Sequence, residues 1–163
     1  NQFIALDTTS TVAFVVPHLR DKENLKILTN SAQIAIECID TLPSVRVFCT
    51  GGWMNKFSLG FEGESTRQRI AEYHTDVLFF SARYISLDSG ITDVNEEDVY
   101  LKQQMIKNSR KVVFLCDHTK FDQTSYRLVC EIKEIDYLVT DKRPADVWLT
   151  HLEAAGVEVI FPE

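Results

Sequence analysis

The sequence lacks both a membrane-length apolar run and a cluster of basic residues. Its longest apolar runs, 12–16 and 77–80, fall far short of the about 20 residues that a transmembrane helix requires. Its 17 lysines and arginines are dispersed, and 24 aspartates and glutamates outnumber them, so the net charge is −7. Binding to a nucleic-acid backbone needs several cations on one face. We therefore expect neither a membrane partner nor direct DNA binding by these 163 residues.

Cysteine is scarce, and the four cysteines occur without a metal-binding or redox spacing. Cys38, Cys49, Cys116 and Cys130 form no Cys-x-x-Cys pair and have no accompanying pair of histidines. The usual zinc and thiol-redox motifs are therefore not written in this chain. We expect buried free thiols in a reducing, cytoplasmic environment, and no metal or cofactor.

Short apolar segments rich in β-branched and aromatic residues alternate with segments of helical periodicity. Strands are predicted at Phe3–Asp7, Lys26–Thr29, Val45–Cys49, Val77–Ser81, Lys111–Asp117, Tyr137–Thr140 and Val157–Phe161. Helices are predicted at Thr11–Leu19, Ser31–Thr41, Glu64–Tyr73, Glu96–Asn108 and Ala145–Ala155. This alternation is typical of a mostly parallel sheet, and a chain of 163 residues is expected to form one α/β domain. Ser31 and Asn95 should cap their helices, whereas Pro17 should shorten the first one.

Polar residues follow nearly every predicted strand. Ligands of open parallel sheets bind beyond the carboxyl ends of the strands, so these residues should share one edge of the sheet. The segments concerned are 7–11 (Asp-Thr-Thr-Ser-Thr), 29–31 (Thr-Asn-Ser), 50–52 (Thr-Gly-Gly), 81–83 (Ser-Ala-Arg) and 117–120 (Asp-His-Thr-Lys). The same residue types also serve as helix caps and turns, and that interpretation stays open.

The hydroxyl-rich run Thr8–Thr11 is the best candidate for an anion site. Its hydroxyls, and the backbone N–H groups that begin the following helix, suit a phosphate. Arg83 and Lys120 could add charge-assisted hydrogen bonds to the same anion. Asp7 or Asp117 could accept hydrogen bonds from sugar hydroxyls.

Two pairs of neighbouring charged residues have plainer interpretations. A histidine beside an aspartate, as at His118 and Asp117, is a pair used in acid–base chemistry, but adjacent residues of an extended chain point apart, and no nucleophile is identifiable. Asp98 and Lys102 are four residues apart on one predicted helix, which is the spacing of a surface ion pair.

A set of short segments occurs in an order that resembles a known family. These segments are Leu28–Ser31, Gly51-Gly52, Gly63 at the start of a helix, Gly90–Thr92, the helix positions Asn95, Asp98, Lys102 and Met105, then Asp117–Phe121 and Ile135–Asp141. Together they make nearly the whole chain similar to the C-terminal effector-sensing domain of the DeoR family of bacterial transcriptional regulators.

The resemblance implies a Rossmann-like three-layer sandwich related to ribose-5-phosphate isomerases and CoA transferases. It also implies a pocket for a phosphorylated sugar, self-association, and a helix-turn-helix DNA reader upstream of residue 1. The absence of an initial Met, and a start directly before a predicted strand, are what a fragment of such a regulator would show. The pocket residues that the resemblance assigns, beginning with the phosphate-facing loop, are Asp7, Thr9, Ser10, Thr11, Thr29, Asn30, Gly51, Gly52, Asp98, Lys102, Asp117 and Lys120.

Several positions depart from the family pattern. Thr9 stands where the family commonly has a glycine, Asp98 replaces a glutamate, and Asp122 replaces a glycine. Arg83-Tyr84 follows the fourth strand, where the family tends toward Gly-Ala-Asp-Gly. A cation and a phenol at the pocket edge would retune the ligand or fill the site.

Two alternatives to a sensor stay open. An isomerase needs a carboxylate base near the sugar carbon and groups that stabilise an enediolate. The isomerase relatives carry an Asp-Gly-Ala-Asp-Glu segment and a Lys-Gly-Gly-rich loop, which this chain lacks, so we expect no enzymatic activity. The second alternative is an oligomerisation module without a ligand. The sequence names no interface between copies, although aromatic residues such as Trp148 and Phe161 are candidates for one.

Overall fold

A seven-stranded sheet forms the centre of the chain in a computed structural model that describes every residue from Asn1 to Glu163. The strands are β1 (Phe3–Leu6), β2 (Leu25–Thr29), β3 (Val45–Cys49), β4 (Trp53–Met54), β5 (Phe61–Glu62), β6 (Thr75–Phe80), β7 (Tyr84–Ser86), β8 (Gly90–Asp93), β9 (Ser109–Leu115), β10 (Arg127–Cys130), β11 (Tyr137–Val139) and β12 (Glu158–Ile160). The helices are α1 (Ser10–Ala13), α2 (Ala32–Thr41), α3 (Glu64–Glu72), α4 (Glu96–Lys107) and α5 (Asp146–Ala154).

The central sheet has the strand order β12-β11-β9-β6-β1-β2-β3, and every neighbouring pair is parallel. All its strands are among those predicted from the sequence, with boundaries that differ by a few residues. Helices lie on both faces, which confirms the Rossmann-like α/β sandwich. The chain runs outward in one direction from β1 to β3 and in the other from β6 to β12, so the order reverses beside β1. None of the helices is both long enough and apolar enough to cross a bilayer.

Two apolar cores lie on opposite faces of the sheet because successive side chains of a strand point to opposite sides. A core of 21 buried residues packs α3, α4 and α5 against one face, where Leu78 and Phe114 are fully buried. A core of 12 buried residues packs α1 and α2 against the other face, around Leu6 and Ile27. Burial on both faces explains why these strands read as continuous apolar runs.

The predicted helix caps of α2 and α4 are confirmed. Ser31 Oγ accepts a hydrogen bond from the Ile34 N–H at 3.1 Å, and Asn95 Oδ1 accepts one from the Asp98 N–H at 3.0 Å. Each cap satisfies a backbone donor that has no partner inside its helix. The two caps therefore fix the residues at which α2 and α4 begin.

The first predicted helix, Thr11–Leu19, is divided in the structure. Helix α1 ends at Ala13, and a separate 3₁₀ turn spans Val16–Leu19. Pro17 lies in that turn, and because proline has no backbone N–H it cannot continue an α-helical hydrogen-bond ladder. The sequence correctly predicts a shortened helix but not the division into two pieces.

Two small antiparallel sheets were not predicted. Strands β4 and β5 form a hairpin, and β10, β8 and β7 form a three-stranded sheet that packs on the larger core through Ile85, Ile91 and Val129. Strands of two to four residues have too short a pattern to be recognised without their partners. The three-stranded sheet matters for the site because it carries Tyr84 and Asp93 to the carboxyl edge of the central sheet.

Trp148 is a core residue, so its predicted place at an exposed interface is wrong. Its side chain is only 2% exposed, and its indole Nε1–H donates to Asp122 Oδ1 at 3.0 Å. The ring of Phe121 packs edge-on against it, with 4.8 Å between centroids. Phe161, the other predicted interface aromatic, is partly buried.

The four cysteines are all unpaired, as predicted, and three of them are buried. Cys38 and Cys116 lie in the two cores, where burial raises the pKa of each thiol to about 12. Both thiols are therefore neutral near pH 7 and act as small apolar side chains.

Candidate functional site

A polar cavity of about 460 Å³ opens at the carboxyl edge of the central sheet. The loops after β1, β6 and β9 meet there, beside the end of β8 and the first half of α4. The strand order reverses at this edge, which is where doubly wound sheets bind their ligands. The residues that line the polar cavity are Thr8, Thr9, Ser10, Thr11, Ser58, Ala82, Arg83, Tyr84, Asp93, Asp98, Lys102, Thr119 and Lys120. A larger cavity of about 760 Å³, between the β7–β8 turn and α5, contains none of the predicted site residues.

Asp7 lies beneath the polar cavity and orders the loop that follows β1. Its buried carboxylate accepts hydrogen bonds from the Thr9 N–H (2.8 Å), the Thr9 hydroxyl (2.6 Å) and the Ser81 N–H (3.0 Å). Burial raises the pKa of the Asp7 carboxyl, whereas the Lys102 ammonium and these donors act in the opposite direction. Asp7 thus joins the loops after β1 and β6 and does not line the polar cavity itself.

The hydroxyl-rich loop Thr8–Thr11 forms one wall of the polar cavity. The Thr9 hydroxyl is already used within the chain. Its Oγ1 donates a hydrogen bond to Asp7 and accepts one from the Val12 N–H as the N-cap of α1. The backbone N–H groups of Ser10 and Thr11 have no acceptor within the chain. These two donors, with the Thr8, Ser10 and Thr11 hydroxyls, are groups of this wall that a ligand could engage.

Two cations lie on the wall formed by the loops after β6 and β9. Lys120 Nζ donates to Ser81 Oγ at 3.2 Å and to the Ala82 carbonyl oxygen at 3.1 Å. These two hydrogen bonds hold the ammonium at the cavity, and no carboxylate pairs with it. The Arg83 guanidinium lies over the Tyr84 ring, 5.5 Å from its centroid. An ammonium and a guanidinium without carboxylate partners leave positive charge available to an anion.

Lys102 forms a buried ion pair with Asp93 of β8. The Lys102 Nζ to Asp93 Oδ2 distance is 2.7 Å, and the Lys102 side chain is 4% exposed. Burial alone would lower the pKa of Lys102, but Asp7, Asp93 and Asp98 together outweigh it and raise that pKa. The interpretation of Asp98 and Lys102 as a surface ion pair is therefore wrong, because Lys102 turns inward to a residue of another element.

Several predicted site residues do not line the polar cavity. Besides Asp7, they are Thr29, Asn30, Gly51, Gly52 and Asp117. Thr29 Oγ1 accepts a hydrogen bond from the Ser31 N–H at 3.1 Å, and the Gly51 carbonyl accepts one from Thr66 Oγ1 at 2.6 Å. Thr29 and Gly51 therefore build the edge of the sheet around the cavity, and any role they have in binding is indirect in this structure.

Asp117 caps the 3₁₀ turn His118–Lys120, where its Oδ1 accepts from the Thr119 N–H at 2.8 Å. His118 Nδ1 contacts Asp141 Oδ2 at 2.8 Å and does not pair with Asp117. The sequence argument against a His118–Asp117 pair is thereby confirmed. Asp117 orients the turn that carries Lys120 to the cavity.

Ser58 and Asp93 line the polar cavity but were not predicted from the sequence. Asp93 directly follows the Gly90–Thr92 segment, and an acidic residue at that position could have predicted its place in the cavity. Ser58 lies in the turn of the β4–β5 hairpin and has no local pattern that points to the cavity. No group of three or more His, Cys, Asp or Glu side chains in the structure is arranged to hold a metal ion.

Comparison with known proteins adds the family context. The model of the DeoR C terminal sensor domain matches residues 1–142. The chain is 31% identical over 160 residues to the HTH-type transcriptional repressor GlcR of Bacillus subtilis, covering 98% of this chain and 61% of that protein. It is 32% identical over 163 residues to the HTH-type transcriptional regulator GolR of Listeria innocua, covering 100% of this chain and 64% of that protein. The chain thus spans about three-fifths of the length of these relatives.

Two solved structures share the fold. Ribose 5-phosphate isomerase A of Methanocaldococcus jannaschii superimposes with a TM-score of 0.51 at 14% identity, covering 74% of this chain and 47% of the isomerase. The eIF2B beta subunit of Chaetomium thermophilum gives a TM-score of 0.54 at 11% identity, covering 85% of this chain and 43% of the subunit. At such identities the similarity concerns the arrangement of the sheet and helices alone.

Proposed function

Because this chain belongs to the DeoR C-terminal sensor domain family, we propose that it binds a phosphorylated sugar in the polar cavity and thereby regulates transcription. The effector would shift the equilibrium between states of the intact regulator that differ in DNA affinity. DNA reading is assigned to a helix-turn-helix segment outside these residues, in keeping with the net charge of −7. A site of action on DNA, together with the unpaired thiols, supports a cytoplasmic location.

The observation that carries this proposal is a set of phosphate-binding groups on two walls of the same cavity. Lys120 and Arg83 supply positive charge, and the Ser10 and Thr11 N–H and hydroxyl groups supply neutral donors. A phosphate offers several acceptor oxygens and a charge of about −2, so it can use all these groups together. Asp93, Asp98 and Lys102 lie on the same cavity and offer partners for sugar hydroxyls.

We expect sugar phosphates to stabilise the domain against heat. A ligand that binds only the folded state, present at about a hundredfold above its dissociation constant, adds about 2.7 kcal/mol to the free energy of unfolding. The measurement is the melting temperature of the chain with a panel of hexose and pentose phosphates, each paired with its unphosphorylated sugar. A rise caused by the free sugars but by none of the phosphates would contradict the phosphate assignment.

We expect Lys120→Ala to weaken sugar-phosphate binding by about 1.5–3 kcal/mol, the usual worth of a hydrogen bond to a charged group. The Lys120 ammonium forms hydrogen bonds only to neutral oxygens and belongs to no ion pair, so folding should be little affected. Isothermal titration of the variant measures the change in affinity. The matched control is Lys22→Ala, an exposed lysine outside the polar cavity, and equal affinities in both variants would remove Lys120 from the site.

We propose that the domain is a sensor without isomerase activity and that it self-associates. The relatives are named as transcriptional repressors or regulators, while the isomerase shares only the fold. Self-association fits a two-fold symmetric DNA reader. Exposed aromatic residues available for contact between copies are Phe14, Trp53, Phe57 and Tyr126.

A further inference from the structure

One end of the polar cavity is rich in carboxylates, in contrast to the positively charged groups proposed to bind the phosphate. Asp93 and Asp98 line the cavity and Asp7 lies just beneath it, whereas Lys102 is the one cation among them. Lys102 hydrogen-bonds to Asp93, and the Asp98 carboxylate accepts no hydrogen bond from any group of the chain. Burial raises the pKa of Asp98, and Asp93, Asp7 and Glu62 raise it further against the opposing effect of Lys102. Three carboxyl groups, from Asp7, Asp93 and Asp98, thus surround one ammonium, that of Lys102, at this end of the cavity.

An unpartnered buried acceptor lies beside the same carboxylates. Asn30 is 3% exposed, and its Nδ2 donates to the Phe61 carbonyl oxygen while its Oδ1 has no donor. Asn30 lines a small annex of about 10 Å³, which shares Thr8, Asp98 and Lys102 with the polar cavity. Such a volume holds about one water-sized group. An ammonium group is of that size, and a buried acceptor left without a donor costs free energy that a ligand donor would recover.

We infer that the annex binds an amino group of the effector, so that the ligand is an amino-sugar phosphate whose ammonium faces Asp98 and Asn30 while its phosphate faces Lys120. This inference rests on the proposed sugar-phosphate function and specifies its substrate class. An ammonium supplies three donors and a positive charge. It can satisfy Asn30 Oδ1 and a carboxylate oxygen of Asp98 while adding a second positive charge beside the three carboxyl groups. A sugar hydroxyl at the same position supplies one donor and no charge.

A divalent cation is a poorer occupant of this position. The Lys102 ammonium already lies among the carboxylates, 2.7 Å from Asp93 Oδ2, and it repels a divalent ion about twice as strongly as it repels a singly charged ammonium at the same distance. The Asp7 carboxylate is engaged by Thr9 and Ser81, and no metal-binding arrangement of acidic side chains is present. The remaining free acceptors, from Asp98 and Asn30, suit a small group that donates hydrogen bonds.

The test compares matched ligands by isothermal titration at pH 7. The probes are a 2-amino-2-deoxyhexose 6-phosphate, the hexose 6-phosphate with a hydroxyl in place of the amine, and the N-acetylated amino sugar phosphate. We expect the amine to bind at least about tenfold more tightly than the hydroxyl analogue, since one charge-assisted hydrogen bond is worth at least that factor. N-acetylation removes the charge and should abolish the preference. Equal or tighter binding of the hydroxyl analogue, or no binding of any of the three probes, overturns the inference but leaves the proposed function standing. The proposed function falls only if no sugar phosphate of the hexose and pentose panel binds either.

The variant Asp98→Asn tests whether Asp98 is the residue that causes tighter binding of the amine than of the hydroxyl ligand. It removes the charge at nearly constant shape and breaks no hydrogen bond of the Asp98 side chain, so the chain should fold. The quantity to follow is the affinity ratio of the amine to the hydroxyl ligand, which we expect to fall to about one. Asp40→Asn on the exposed face of α2 is the matched control and should keep the ratio of the natural chain. A preference that survives Asp98→Asn would show that Asp98 does not bind the amine.

Discussion

Replacing Lys102 by Met should lower the free energy of unfolding by about 3–5 kcal/mol, the cost of removing one partner from a buried ion pair. Met keeps the length and apolar stem of the side chain but removes the charge. Asp93 would lose its 2.7 Å partner, and Asp7 and Asp98 would lose the only nearby cation that favours their ionised forms. Urea unfolding monitored by circular dichroism measures the loss. The matched control is Lys107→Met, at the exposed end of the same helix, which should cost less than about 1 kcal/mol.

The loss caused by Lys102→Met should depend on pH in a defined direction. The pKa values of the Asp7 and Asp98 carboxyls are already raised by burial, and without Lys102 they rise further. A folded-state pKa above the unfolded value favours the native state below the unfolded pKa of about 3.9, and this contribution is lost as pH rises through the folded value. The difference between variant and natural chain should therefore shrink as pH falls from 7 toward 4. A difference that stays constant over that range would mean that these carboxyls do not titrate there.

Gly52→Ala should destabilise the chain by about 3 kcal/mol, through overpacking and an unfavourable backbone angle. Gly52 has φ of +126°, and a Cβ there would overlap Thr66 Oγ1 and lie 2.8 Å from the Glu62 carbonyl oxygen. Thr66 cannot move freely because its hydroxyl donates to the Gly51 carbonyl, and Glu62 is held in the β4–β5 hairpin. Thermal and urea unfolding of the variant measure the loss.

Gly51→Ala provides the matched control one residue away. Gly51 has φ of +66°, but no atom lies within 4 Å of a Cβ built there, so only the backbone penalty of about 1–2 kcal/mol applies. The contrast between the variants separates close packing from backbone conformation. Equal losses would show that the loop adjusts to the extra methyl group. If either variant kept its stability but lost sugar-phosphate binding, the Gly51-Gly52 segment would belong to the site directly.

The features predicted correctly from the sequence are those that depend on residues close together in the chain. The continuous apolarity of 77–80 and 112–115 predicts strands buried on both faces, and Leu78 and Phe114 are indeed fully buried. Ser31 and Asn95 cap their helices because a cap involves only a residue and the amide three positions later. The polar segments after strands were placed at one edge because parallel strands share a direction.

The features that were missed depend on residues distant in the chain. The three-stranded sheet of β10, β8 and β7 pairs residues on either side of α4, and strands of three or four residues have no recognisable period. The sequence suggests an exposed Trp148, but its side chain is buried, with its indole hydrogen-bonded to Asp122 and its ring packed against Phe121. In both cases partners far along the chain decide the outcome.

The sequence by itself determined the α/β architecture, the existence of the main strands, the unpaired thiols and the family, because each is encoded in local patterns or in an ordered set of short segments. The tertiary structure alone decided which polar residues share a cavity. It brought Lys120 and the hydroxyl-rich loop to the same cavity, and it gave Asp7 and Asp117 the role of ordering loops. It also brought Asp93 of β8 to Lys102 of α4. The physical reason is that a side chain's role follows from its partners and its burial, and both arise only when distant strands and helices pack together.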